Sequence, residues 1–421
     1  MIFRILSRSI LLIASLFLYV NSSIASPAES VYAAYSESIV QIKIIEVNAD
    51  SQSALGTGFF VGDGNLLATN YHVVSSVAME PEKYRIEVKF QGEEYNPELL
   101  FVDALNDLAI LGSPVEGVPL LLSETEPVKG SKLYSIGNPL DLGMTLVEGN
   151  YNGLVADRFF DQIHFSGAIN SGMSGGPTLS EVGEVVGVNV ASAGNQVGFL
   201  VPVKFLRALV ERAQSEESHL ESLHDDISAQ IDAATTYMIN RLLEGEWPKD
   251  TIGDAVAIGQ VDDAVECWGN SNKDEETKSN VISKGCKNRE SIFINHDFMT
   301  GFIEYEFHYH EVEDWPVSSL YRYLSADASS ARPGNRASKD YVGNFSCMED
   351  VVNADKDNLK AKVIYCVRAY KKFEGLFDTL YMAISMDKPD RSIVSHFTLA
   401  GVSQENSDRF LDRFIRELNW Q

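Results

Sequence analysis

Cysteine is missing from the first 266 residues of this 421-residue chain, and only four occur in all. No two stand in a Cys-x-x-Cys pair, so a four-cysteine zinc site lacks its usual ligand spacing. Positive charge is also scarce: 34 Lys and Arg face 60 Asp and Glu, a formal charge of −26. A protein that tracks phosphates needs the opposite sign. Nucleic acid is therefore not an expected partner, and an anionic lipid surface is disfavoured for the same reason. Beyond the first 25 residues no apolar run approaches the ~18 residues of a membrane-crossing helix. The rest is ordinary: 45% hydrophobic and 22% charged residues make a globular balance. At roughly 150 residues per domain there is room for two or three cores.

The N-terminus reads as a separate unit. Arg4 and Arg8 precede a largely apolar run, Ser9 to Val20, which as a helix would span about 18 Å against a bilayer core of roughly 30 Å. Ser23-Ile24-Ala25 then places small residues where a signal peptidase reads. Residues 1–25 are expected to be a cleaved secretory signal, leaving a periplasmic or secreted protein with no stable membrane insertion. In an exported chain an even cysteine count reads as disulfides. Cys267 and Cys286 are 19 apart, as are Cys347 and Cys366, and these two pairs are the expected bridges. In the chain-entropy model each such loop contributes about 3 kcal/mol.

Residues 30–203 alternate in short runs punctuated by Gly, Asn and Asp, such as Ser38–Ile44, Tyr84–Phe90 and Glu184–Val190. Many short strands without intervening helical patterns indicate an all-β sandwich or barrel. From Lys204 the period changes: Phe205, Leu206, Leu209, Val210 and Ala213 share a helical face. Ser218 with Glu221 then forms a capping-box pattern opening a helix that runs to Gly245, before the Pro248 stop. All four Trp and all four Cys lie beyond it. The expected organisation is a domain over 26–213, a helical linker over 214–246 and an α+β domain with two disulfides over 247–421.

Three local patterns occur in fixed order inside the β region: Ala68-Thr69-Asn70-Tyr71-His72-Val73-Val74, with His72 at a strand end, then Asp103-Ala104-Leu105-Asn106-Asp107-Leu108-Ala109, then Asn170-Ser171-Gly172-Met173-Ser174-Gly175-Gly176-Pro177. A serine hydroxyl is a weak nucleophile at neutral pH and needs a base beside it. A neutral imidazole serves, because its pKa sits near the operating pH. A carboxylate holds the imidazole in one tautomer and stabilises the imidazolium that forms. Glycines around the serine let the backbone turn tightly and aim N–H groups at one point, where an oxyanion can be bound.

The order His…Asp…Ser resembles that of trypsin-like proteases with two β-barrels. In detail the chain is similar to the bacterial HtrA/DegP-like proteases through Gly56-Thr57-Gly58-Phe59-Phe60, the His72 and Asp107 segments, Ile136-Gly137-Asn138-Pro139, Ala168 to Pro177, Gly187-Val188-Asn189 and Gly198 to Pro202. That resemblance covers about 35–205. It implies a double six-stranded barrel with His72 as base, Asp107 as its orienter and Ser174 as nucleophile. The implied oxyanion donors are the backbone N–H groups of Gly172, Met173 and Ser174. Asp103 falls on a non-catalytic acidic position. The implied specificity pocket has Ala168 as its floor and Val190, Ala191, Ser192, Gly198, Phe199 and Leu200 as its walls. None is acidic, so a small or medium apolar residue is expected before the cleaved bond. Nothing after 214 resembles a PDZ domain. The implied partners are polypeptide substrates, with a homo-oligomer allowed, and no cofactor or metal is required.

Two rival readings stand beside this one. Gly172-Met173-Ser174-Gly175-Gly176 formally satisfies the G-x-S-x-G elbow of serine esterases, which needs a helix directly after the serine. A non-catalytic binding or sensor protein on the same fold is the other. Further on, Glu304, Glu306, His308 and His310 alternate with Ile303, Tyr305, Phe307 and Tyr309, so the four polar groups share one strand face. They could hold a divalent metal, but a solvated face is the expectation. His164, His219, His224, His296 and His396 are expected to be structural.

Overall fold

The computed structural model describes residues 26–192, 197–216, 223–352 and 359–420. The expected signal peptide and the Ser218–Glu221 cap lie outside them, as do the side chains of Ala191 and Ser192. Among the described residues no helix is long and apolar enough to cross a membrane.

Helix α1 (Pro27–Tyr35) starts on Ser26, whose hydroxyl accepts from the Glu29 N–H at 3.2 Å. It leads into β1 (Ile39–Glu46), β2 (Ser51–Val61) and β3 (Leu66–Thr69). The alternation read in β1 is real: Ile42 and Ile44 are buried, whereas Gln41 and Lys43 are partly exposed. Helix α2 (Tyr71–Met79) comes next, so His72 opens a helix rather than ending a strand. The sheet is completed by β4 (Tyr84–Phe90), β5 (Glu93–Tyr95), β6 (Glu98–Asp103) and β7 (Leu108–Gly112). Its order is open and seven-stranded, β5-β4-β1-β2-β3-β7-β6. Asn96-Pro97 separates the end strands β5 and β6, and proline, with no N–H, cannot extend a ladder there.

The second sheet does close. Strands β8 (Lys132–Gly137), β9 (Thr145–Leu154), β10 (Ile163–Phe165), β11 (Pro177–Leu179), β12 (Val185–Ser192) and β13 (Gly198–Pro202) form a six-stranded barrel in the order β10-β13-β12-β11-β8-β9. Helix α3 (Val203–Ser215) buries Leu206, Leu209 and Val210 against the core between the two sheets, as its period predicts.

Helix α4 (Leu223–Leu243) is no free linker. Its first half puts Leu223, Ile227, Ile231 and Ala234 into the core of the first sheet. Its second half puts Met238, Ile239 and Leu242 into the core of the C-terminal region. That region runs through β14 (Lys249–Ile252), β15 (Ala255–Ile258), β16 (Val265–Asp274), β17 (Ser279–Asn288), β18 (Ile292–Asn295), β19 (Phe298–Thr300), β20 (Ile303–Val312) and helix α5 (Val317–Ser330). It continues with β21 (Ser346–Val352), β22 (Ala361–Ala369), β23 (Phe377–Ser385), β24 (Arg391–Val402), helix α6 (Gln404–Arg416) and β25 (Asn419–Trp420). Seven strands form one antiparallel sheet, β16-β17-β20-β24-β23-β22-β21. The disulfides join Cys267 to Cys286 and Cys347 to Cys366, each across a hairpin at one edge of that sheet. In both hairpins the bridged cysteines form a directly opposed pair, 19 residues apart.

Candidate active site

Two elements bring His72 and Asp107 together. Asp107 ends the turn between β6 and β7 at a φ of 56°, a left-handed backbone uncommon outside glycine. The carboxamide of buried Asn70 holds that turn, donating to the Asp107 carbonyl at 2.7 Å. The Asp107 carboxylate then grips the start of α2 twice, accepting from the His72 backbone N–H at 2.8 Å and meeting His72 Nδ1 at 2.6 Å. The two side chains are only 30% and 20% exposed. Burial pulls the imidazole's pKa down, but the Asp107 charge and hydrogen bond outweigh it and leave His72 above its ordinary 6.5. Asp103 works locally, accepting from the Asn106 N–H and carboxamide at 2.9 and 2.7 Å.

Ser174 arrives from the barrel. Residues Asn170 to Met173 form a turn closed by the Met173 N–H donating to the Asn170 carbonyl at 3.0 Å. Its third residue, Gly172, has a φ of 93°, the geometry a type II turn demands. A Cβ there would lie 2.4 Å from the Asn138 carbonyl oxygen. The expectation that Met173 supplies an oxyanion donor is thus corrected, because the turn consumes its N–H. Gly172 and Ser174 keep theirs. The Met173 side chain is fully buried in the barrel core with Tyr151, Ile163 and Phe165, and this anchors the turn from below.

Thr57, the middle residue of Gly56-Thr57-Gly58, ties this turn to β2. Its hydroxyl donates to the Gly172 carbonyl at 2.7 Å and accepts from the Asn138 N–H at 3.1 Å, while its N–H donates to the Ser174 carbonyl at 2.8 Å. Gly175 fits against the end of β3 so closely that a Cβ would stand 2.2 Å from Thr69 Oγ1 and 2.9 Å from the Asn70 nitrogen. Asn189 completes the frame. Its carboxamide donates to the Ile136 and Met173 carbonyls at 3.2 Å and accepts from Ser135 and Thr178 at 2.7 and 2.6 Å. The nucleophile loop therefore abuts the strand that leads into His72. The Ser174 hydroxyl itself donates to the Val190 carbonyl at 3.0 Å, not to His72.

Residues 56–188 match the family model of the trypsin-like peptidase domain. This chain carries a trypsin-like peptidase domain. The domain is 30% identical over 174 residues to the "Probable periplasmic serine endoprotease DegP-like" of Chlamydia trachomatis serovar D, covering 38% of this chain and 34% of that protein. It is 32% identical over 162 residues to the human "Serine protease HTRA3", covering 35% of each. The chain thus spans about a third of the length of the curated relatives it matches. A crystal structure of the serine endoprotease from Yersinia pestis overlaps 45% of this chain and 67% of its own at 23% identity, with a TM-score of 0.40. After Ser174 the peptidase domain runs into β11 and not into the helix that an esterase elbow needs.

The pocket residues implied by the resemblance divide. Ala168 is exposed and Val190 lies beside the Ser174 hydroxyl. Leu200 is corrected to a core position: strand alternation turns it inward, where it packs with Leu133, Ile163 and Phe165. Gly198 is buried, with the Gly167 carbonyl only 2.8 Å from where its Cβ would be. Phe199 faces outward beneath the Arg158 guanidinium, 5.5 Å from its ring centroid.

One wall of the site had no sequence signal. The β18–β19 hairpin of the C-terminal region leans on α2: the Tyr71 hydroxyl donates to the Ile294 carbonyl at 2.9 Å, and the Phe293 ring meets the His72 ring edge-on, centroids 6.3 Å apart. Lys372 donates to the Met79 carbonyl at the helix's other end. A cleft of about 140 Å³ opens beside His72, walled by Ser75 and Tyr84 on one side and Asn295 and Tyr341 on the other.

Proposed function

We propose that the protein is an exported serine endopeptidase acting on unfolded or damaged polypeptides through an acyl-enzyme on Ser174. The observation that carries this reading is the paired grip of Asp107 on His72 next to a type II turn in which, among the described residues, the Gly172 and Ser174 N–H groups have no acceptor. In the reaction the Ser174 hydroxyl leaves the Val190 carbonyl and passes its proton to His72 Nε2 as its oxygen attacks the substrate carbonyl. The two N–H groups receive the oxyanion, each such donor being worth roughly 10²–10³ in rate. His72 returns the proton to the departing amine, then serves as base for the water that hydrolyses the acyl-enzyme. The Arg158 cation over Phe199 adds to the absence of acidic pocket residues in disfavouring cleavage after Lys or Arg. Periplasmic relatives and the apolar N-terminal run support export.

The test is hydrolysis of unfolded casein by the full chain and by Ser174→Ala. A loss of roughly 10⁴-fold or more in the variant is expected. Equal rates would instead favour the non-catalytic reading, to which the Ser174–Val190 hydrogen bond also lends support.

A further inference from the structure

The polar face of β20, expected to be solvated, is partly covered: Glu304, Glu306 and His308 keep some exposure and His310 is buried. Helix α5 lies across it, seated on Leu320 and Leu324, and contributes Asp327. His310 is only 2% exposed, and among the described residues neither of its ring nitrogens has a hydrogen-bond partner. Leaving such a buried group unpaired is unfavourable, so a ligand there would relieve it. Its Nε2 points at the Asp327 carboxylate, 3.9 Å away, and His308 Nδ1 reaches the same carboxylate oxygen at 3.6 Å. One ligand atom from each of His308, His310 and Asp327 fits within a 4.8 Å cluster.

We propose that His308, His310 and Asp327 form a binding site for a zinc-class divalent cation that pins α5 to the C-terminal sheet. Ligands at about 2.0–2.1 Å from a tetrahedral ion stand ~3.3 Å apart. The two separations to Asp327 are within about 0.6 Å of that and all three ligand atoms lie within 4.8 Å of one another, so binding requires the side chains to rotate inward. Two imidazoles with one carboxylate suit zinc, cobalt or nickel better than magnesium or calcium, which take oxygen ligands. The surroundings are those of a metal-ligating histidine. With Nδ1 turned to the ion, His308 presents Nε2 to the Glu306 carboxylate at 3.8 Å, beyond hydrogen-bond length but on the side where an outer partner would fix a ligand's tautomer. Glu306 also faces His396 Nδ1 at 3.9 Å. Glu304 and Glu306 line the same cavity of about 270 Å³, so a cation there relieves their mutual repulsion. Arg332, at its rim, turns its guanidinium to the Ser329 and Ala331 carbonyls. The fourth position is open to water from this cavity.

The experiment uses the full chain carrying His72→Ala, so that zinc on the peptidase imidazole is not counted. After chelator treatment and dialysis, zinc binding is measured by calorimetry and elemental analysis, and the melting temperature is tracked with and without zinc. One zinc per chain and an upward melting shift are expected. Asp327→Asn, on the outer helix and tolerant of folding, is expected to bind at least 10-fold more weakly and to lose the shift, and Glu306→Gln to weaken binding about 10-fold. Absence of stoichiometric zinc, or equal affinity in the parent and in Asp327→Asn, overturns the site.

Discussion

Phe293 stands edge-on to His72, although far from it along the chain, and places a C-terminal side chain against the imidazole of the peptidase site. Tyr71, one residue before His72, is fixed by the same hairpin through Ile294. If His72 is the base of the proposed mechanism, this contact makes Phe293 a positioning residue. Such aromatic pairs contribute about 0.5–1.5 kcal/mol. Phe293→Ala is therefore expected to lower kcat roughly 3–10-fold with a smaller change in KM, and Phe293→Tyr to restore most of it. An unchanged kcat alongside a reduced melting temperature would reduce Phe293 to a packing role.

The two halves of the molecule share one core, which makes the peptidase domain dependent on the C-terminal region. Ile292, Ile294, Phe298, Tyr370 and Phe373 pack into the same cluster as Ile42, Val74 and Leu111, together with the first half of α4. A 26–214 fragment exposes that face to water. It is expected to melt well below the full chain and to bind a hydrophobic dye. A fragment melting within a few degrees of the full chain would contradict the shared core.

On the proposed mechanism His72 must be unprotonated to act as base, and the Asp107 interaction holds it above 6.5. Activity is expected to fall as pH drops through a value above 6.5, giving an acid limb in kcat/KM that reports the free enzyme. The same interaction stabilises the fold while the imidazole is charged, fully below 6.5, and this contribution fades as pH rises through the folded value. Asp107→Asn removes both effects and is expected to cost roughly 10⁴ in kcat. An acid limb left in place by Asp107→Asn would mean that another group sets it.

Thr57 offers a test of the oxyanion turn separate from the nucleophile. Thr57→Val keeps the shape but strips the hydroxyl from the Gly172 carbonyl and the Asn138 N–H, both buried. An unsatisfied buried group costs about 1–3 kcal/mol. If the loop moves, kcat is expected to fall at least 10-fold with substrate affinity less affected. Thr57→Ser is expected to retain most activity.

The linear pattern by itself determined the ordered His72, Asp107 and Ser174 motifs, the strand-rich first half, the helical period after Lys204 and the two expected cysteine pairings. Each depends on short-range rules: two-residue alternation, 3.6-residue periodicity, and the glycines a tight turn needs. Tertiary structure alone decided that Leu200 faces the barrel core, that α4 serves two cores, and that Phe293 and Tyr71 meet the C-terminal hairpin. The covering of His310 by α5 belongs to the same set. These contacts join residues far apart along the chain, and their energy comes from apolar area and polar pairing that exist only once the sheets have closed on each other. No local spacing encodes a partner that folding alone brings within reach.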